Sequence, residues 1–122
     1  MAETIFDKII DKSIPADILY EDDKALAFKD INPQAPIHFL VIPKKQIATI
    51  NDISEADEAV VGHLYTVAAK LAHDMGFAEE GYRAVMNCNK FGGQTVYHIH
   101  LHVLAGKMMG WPPYTDKPKH LE

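Results

Sequence analysis

Thr95-Val96-Tyr97-His98-Ile99-His100-Leu101-His102-Val103-Leu104 places three histidines at every second position, with aliphatic residues between them. A β-strand has a side-chain period of two. The pattern therefore predicts a strand over 95–104 with all three imidazoles on one face and Tyr97, Ile99, Leu101 and Val103 on the other. Seven histidines scattered at random through 122 residues would give such a row in roughly 2% of chains. A merely solvated strand face would carry residues that fit a pleated surface better than imidazole does. The row reads as a site.

Outward from the row, residues 82–87 predict the preceding strand, and Cys88–Gln94 a loop between the two. Val60, Leu64, Val67, Leu71 and Met75 follow helical spacing through residues 54–75. Ser54 suits the N-cap, Glu55, Asp57 and Glu58 suit the positive end of the dipole, and Gly76 suits C′. Towards the N-terminus, residues 37–42 form a β-branched run bounded by Pro36 and Pro43, a buried strand. Asp30–Pro36 holds two prolines and predicts an irregular turn, in which Asp30 reads as an ordinary turn residue. Residues 17–21 and 25–29 predict two strands joined by an acidic turn, and Ile5, Phe6, Ile9 and Ile10 predict a short helix over 4–12. Strands in sequential pairs with one long helix inserted late point to an α+β fold with an antiparallel sheet. The helix should cover one face and leave the histidines in a groove on the other.

The chain is long enough for one domain and no more. Hydrophobic content of 48% is ordinary for a globular protein, and no apolar run or leader pattern suggests a membrane span or export. Cys88 is the lone cysteine, which predicts a reducing, cytoplasmic setting without an internal disulfide. A net charge of −5 argues against nucleic-acid binding and leaves room for a small nucleotide.

Clustered histidines serve metal binding, acid–base work or nucleophilic attack. Neighbours in a strand row are about 6.6 Å apart and the outer pair about 13 Å, so one metal could use two of them but hardly all three. A third ligand would have to be His38. Neutral imidazole is a usable nucleophile towards phosphorus once its other nitrogen is pinned by an acceptor. Directly upstream, Gly92-Gly93-Gln94-Thr95 offers backbone amides that can approach a phosphate, and a hydroxyl.

His98-Ile99-His100-Leu101-His102-Val103-Leu104 resembles the signature of the histidine-triad (HIT) nucleotide-binding proteins, and of their Hint branch in particular. The likeness extends through Asp30–Lys45, Gly92–Thr95 and Trp111-Pro112-Pro113, nearly the whole chain. It implies a single HIT domain over 1–113 with a C-terminal tail over 114–122. Its fold would be a five-stranded antiparallel sheet with one long and one short helix, two copies pairing into a ten-stranded sheet. The implied activity is metal-independent hydrolysis, without a cofactor, of purine nucleoside 5′-phosphoramidates and of aminoacyl- or acyl-adenylates, with AMP or GMP as product.

On that resemblance His100 is the nucleophile and carries a nucleotidyl intermediate. The His98 carbonyl accepts from its ring, His102 assists the leaving amine, and His38 supports the row. Thr95, Gly93 and Gln94 would meet the phosphate side, Asn87 the ribose 5′ oxygen, and Asp30 the ribose diol. Ile5, Phe6, Ile9, Phe28 and Ile31 would line the slot for the base. Trp111 would reach the partner subunit's groove, and Val60, Val61, Leu64 and Val85 would supply the dimer interface. Thr95 stands where the branch often carries serine, which keeps the hydroxyl and adds a methyl.

Three rival readings stand beside this one: a dinucleoside polyphosphate hydrolase of a sister branch, a nucleotide-binding scaffold, and a zinc protein using the H-x-H pair. His63 and His73 read as surface residues of the long helix, His120 as tail, and Cys88 as a bystander.

Overall fold

Strand pairing in the computed structural model, which describes residues 3–115, is antiparallel throughout. The strands are β1 (Ile18–Glu21), β2 (Ala25–Lys29), β3 (Ile37–Pro43), β4 (Arg83–Val85) and β5 (Leu101–Ala105). They lie in the order β1-β2-β3-β5-β4, so the last strand in sequence is inserted beside β3 and leaves β4 at the edge. Among the described residues three α-helices accompany the sheet: α1 (Ile5–Ile10), α2 (Glu58–Met75) and the short α3 (Asn89–Gly92). The α+β class and the five-stranded antiparallel sheet agree with expectation, while α3 occupies what was expected to be plain loop.

Alternation along the strands sorts the core into two layers. Ala25, Ala27, Phe39, Val41, Leu101 and Val103 face α2 and meet Leu64, Val67, Leu71 and Ala72. Leu26, Phe28, Leu40 and Ile42 face the other way and are covered by Phe6 and Ile9 of α1. Each fully buried Leu or Phe of this kind contributes about 1.5–3 kcal/mol. Leu64, expected at a dimer interface, is instead wholly buried beneath α2 against the chain's own sheet.

Local chemistry sets the helix ends. Thr4 caps α1 in a reciprocal box with Asp7. The long helix ends at Gly76, whose φ of 85° is left-handed and suits a residue without Cβ. Its start differs from expectation: Ser54 precedes a single 3-10 turn, Glu55–Asp57, and α2 begins only at Glu58. Asp57 holds that turn by accepting from the Ser54 amide and from Lys45.

His63 is not the idle surface residue its position suggested. Its Nε2 lies 2.6 Å from Asp22 Oδ2, and the Tyr20 hydroxyl donates to the same oxygen. Partial burial alone would raise the Asp22 pKa, but these bonds and the Lys24 and Ala25 amides hold it well below the usual carboxylate range. The β1–β2 turn is thereby clipped to α2. His73 is exposed, as expected, whereas His120 and residues 116–122 of the tail lie outside the described residues.

The histidine row departs most from expectation. Only residues 101–105 join the ladder, with Val41 opposite Leu101 as its last pair towards the row's start. Pro43 has no N–H to continue the pairing, and the Ile99 amide turns to the Ile47 carbonyl at 2.8 Å. Alternation survives without the ladder: Ile99 sits in the α2 layer. Tyr97, expected beside it, is exposed.

Candidate active site

Register brings two distant histidines onto one face. In the β3–β5 pair His38 stands opposite Leu104 and His102 opposite Leu40, so the two imidazoles are diagonal neighbours. His38 Nε2 and His102 Nδ1 are 2.9 Å apart. His100 follows along the same face, its ring centroid 4.9 Å from that of His102.

Hydrogen bonds decide the tautomer of every ring. The carbonyl of His98 can only accept, so His100 Nδ1, 2.8 Å away, carries the proton and its Nε2 keeps the lone pair. By the same logic His98 Nε2 donates to the Pro43 carbonyl at 2.7 Å. The Gln34 amide donates to His38 Nδ1 at 3.0 Å, which puts the His38 proton on Nε2. That proton is then donated to His102 Nδ1, and His102 in turn holds its own proton on Nε2. One ring thus presents a lone pair and its neighbour a donor, the two functions that displacement at phosphorus requires.

Burial keeps these rings neutral. His98 is inaccessible and His100 is 5% exposed. Desolvation lowers the pKa of His98 and His100, and of His38, where Asp30 partly opposes it. His102 is pushed down to about 4 by burial first and then by the neighbouring His100 and His38. Phe6 closes the other side, its ring edge-on to His100 with centroids 5.1 Å apart.

The model of the HIT domain family matches residues 11–109 of this chain. The chain belongs to the HIT domain family. A purine nucleoside phosphoramidase of Escherichia coli strain K12 is 56% identical over 108 residues, which span 88% of this chain and 91% of that protein. Among solved structures, a HIT family hydrolase from Legionella pneumophila Philadelphia 1 superimposes with a TM-score of 0.89 at 52% identity. The match covers 91% of this chain and 99% of that one. A histidine triad protein from Clostridium difficile gives a TM-score of 0.86 at 44% identity, covering 89% and 96%.

Around the histidines of this HIT domain the other expected residues divide. Phe6, Ile9 and Phe28 pack together, Phe6 reaching His98 and His100, while Ile5 is half exposed and Ile31 is 98% exposed. Asp30 turns Oδ2 towards His38 Nε2 at 3.4 Å, and its Oδ1 accepts from the Asn32 amide. Asn87 is half-buried just beyond β4, and Thr95 is exposed.

Two of the phosphate-side residues do a different job from the one expected. The Gly93 amide donates to the Lys90 carbonyl at 3.1 Å and, with φ 81°, closes α3. The Gln94 side chain donates to the carbonyls of Ala48 and Val96 and accepts from the Asn89 amide. Both brace the loop in this fold. Trp111 is 53% exposed, with the Arg83 guanidinium 6.0 Å from its ring.

Sequence reading missed the Gln34 amide and the Pro43 carbonyl, which act through the backbone and leave no side-chain signal. It also passed over Asp7 of the α1 capping box, whose Oδ1 lies 3.7 Å from His98 Nδ1. For a metal, Asp30, His38 and His102 each place a ligand atom within 4.8 Å of the others. Among these groups His38 Nε2 is already hydrogen-bonded to His102 Nδ1 and faces Asp30 Oδ2 at 3.4 Å.

Proposed function

We propose that the protein hydrolyses purine nucleoside 5′-phosphoramidates, and aminoacyl- or acyl-adenylates, through a nucleotidyl intermediate on His100. The observation that carries this reading is the 2.8 Å contact from His100 Nδ1 to the His98 carbonyl, which leaves Nε2 with its lone pair. The phosphoramidase name of the Escherichia coli relative supports the substrate class.

In the first step His100 Nε2 forms a bond to the α-phosphorus as the P–N bond breaks, and the departing nitrogen, hydrogen-bonded by the His102 Nε2–H, leaves as the amine with a proton taken up from solvent. His38 Nε2, donating to His102 Nδ1, holds that ring in the tautomer with its proton towards the leaving group. Water then attacks phosphorus as the bond to His100 breaks, gives up a proton to solvent and releases the nucleoside monophosphate, AMP or GMP. Thr95 and His102 donate to the phosphate oxygens. Asp30 accepts from the ribose hydroxyls, Asn87 lies at the 5′ oxygen, and Phe6, Ile9 and Phe28, with the exposed Ile5 and Ile31, take the base. The step needs no metal, because neutral imidazole attacks and protein donors balance the charge.

The reading includes a homodimer that pairs the open β4 edge of one protomer with its partner and brings the exposed Trp111 to the neighbouring site. It places the protein in the cytoplasm, free of nucleic acid and membrane. Consistent with this, no helix among the described residues is long and apolar enough to cross a membrane, Cys88 is unpaired, and net charge is −5.

The deciding experiment compares hydrolysis of adenosine 5′-phosphoramidate with that of a diadenosine polyphosphate, and quenches the reaction to trap the adduct. A faster phosphoramidate reaction with an adenylyl group on His100 is expected. Preference for the polyphosphate would favour the sister-branch chemistry, and turnover without an adduct would remove the covalent step.

A further inference from the structure

His98 Nδ1 is the one fully buried side-chain nitrogen or oxygen among the described residues that has no hydrogen-bond partner. Its nearest ionic neighbour is Asp7 on α1, whose Oδ1 lies 3.7 Å away. We propose that Asp7 is a positioning residue for the histidine row, acting through His98: a proton taken up on Nδ1 closes the two into a charged pair and draws α1 onto the site. The inference rests on the nucleotide reading above only for what the slot beside α1 holds.

The geometry is that of an unfinished contact. With its proton on Nε2 and donated to Pro43, the neutral His98 ring turns a lone pair towards a carboxylate oxygen. Two acceptors face each other, and 3.7 Å is too long for a hydrogen bond. A proton on Nδ1 converts the pair into a charge-assisted bond, whose usual length of about 2.8 Å needs a shift of roughly 1 Å.

Asp7 is built to transmit that shift. Its Oδ2 accepts from the Thr4 amide at 2.8 Å and from the Gln46 side chain at 3.2 Å, which aims Oδ1 at the ring. One residue before it, Phe6 touches His98, His100 and Phe28 at centroid distances of 6.0, 5.1 and 5.5 Å. The charged or titratable groups facing His98 are Asp7 from α1 and His100 from its own segment, while β3 presents only the Pro43 carbonyl. Desolvation opposes the proton and Asp7 favours it. Acidification should therefore tighten α1 over the base while it costs His100 its nucleophilic form, so affinity and turnover respond in opposite directions.

The test follows the His98 ring nitrogens by NMR between about pH 5 and about pH 8, and measures adenosine binding over the same range. Adenosine itself has no group that titrates there. In Asp7→Asn the carboxamide can donate to Nδ1 and support the neutral ring, so the His98 titration should move down by about one pH unit or more. The gain in adenosine affinity on the acid side, up to about tenfold, should vanish with it. Thr4→Ala removes the hydroxyl that caps Phe6 and touches Asp7 Oδ2 but keeps the Thr4 amide and Gln46 bonds that aim Oδ1, and should leave the His98 titration in place. Identical His98 titrations in wild type and Asp7→Asn overturn the proposal, as does an equal shift in Thr4→Ala. Should adenosine bind nowhere in the range, the nucleotide reading of the slot fails, and the His98 titration still judges Asp7.

Discussion

His38 Nε2 lies 2.9 Å from His102 Nδ1, although the two residues are 64 positions apart in the chain. The bond sets the direction of the His102 proton, so the leaving group should report on it. In His38→Ala and His102→Ala, hydrolysis of phosphoramidates, whose amine must be protonated to leave, should fall about 10²–10⁴-fold. An acyl-adenylate, whose carboxylate leaves unaided, should lose much less. Equal losses on both substrates, measured as kcat, would remove the leaving-group role.

Replacing His100 tests the nucleophile and the packing together. His100→Ala should abolish the trapped adduct and reduce turnover by several orders of magnitude. Because the ring is 5% exposed and packs on Phe6, the variant should also lose roughly 2 kcal/mol in denaturant unfolding. Near-wild-type turnover would rule out the assignment.

Acid should weaken the fold in two stages. His102 has an ordinary value of 6.5 and is held down to about 4 in the folded protein. Between these the unfolded chain binds the proton and the folded one does not, so stability is full above 6.5 and declines as pH falls towards 4. The lowered His38, His98 and His100 act in the same sense. Below its ordinary 3.8, Asp22 adds a second loss as its hydrogen-bonded carboxylate is forced to protonate. Melting temperature measured against pH should fall through both windows, and His102→Asn should shrink the first. A melting temperature that rises on acidification contradicts the account.

Chelation should leave activity alone. Excess chelator is expected to change neither kcat nor KM for adenosine 5′-phosphoramidate, and metal analysis to find no stoichiometric zinc. Activity that disappears with chelator and returns with zinc would point to Asp30, His38 and His102 as ligands.

Asp30 should discriminate ribose from deoxyribose. A hydrogen bond from the 2′ hydroxyl to its carboxylate is worth roughly 1.5–3 kcal/mol, so 2′-deoxynucleotides should bind about tenfold or more weakly. Asp30→Ala should erase the difference. Because Oδ2 also faces His38 at 3.4 Å, the same variant should lower kcat, whereas a pure binding role would raise KM alone.

Periodicity alone determined which side chains share a face. The two-residue repeat of 98–102 put the three imidazoles together and sent Ile99 and Leu101 to the α2 layer, and this held even where the ladder was absent. Apolar spacing and Gly76 likewise marked α2, because helix pattern and left-handed caps are local properties of the chain. Tertiary structure decided which nitrogen of the His38, His98 and His102 rings holds the proton, whereas His100 bonds within the row itself. The partners that decide it are a backbone amide at Gln34, a carbonyl at Pro43 and a ring on β3, and none leaves a trace in residue type near the row. The same holds for His63, which reads as surface until the β1–β2 turn brings Asp22 to it, and for Gly93, whose amide goes to a helix cap. A side chain's face follows from the backbone repeat, whereas its charge and tautomer follow from groups that only folding brings within 3 Å or so.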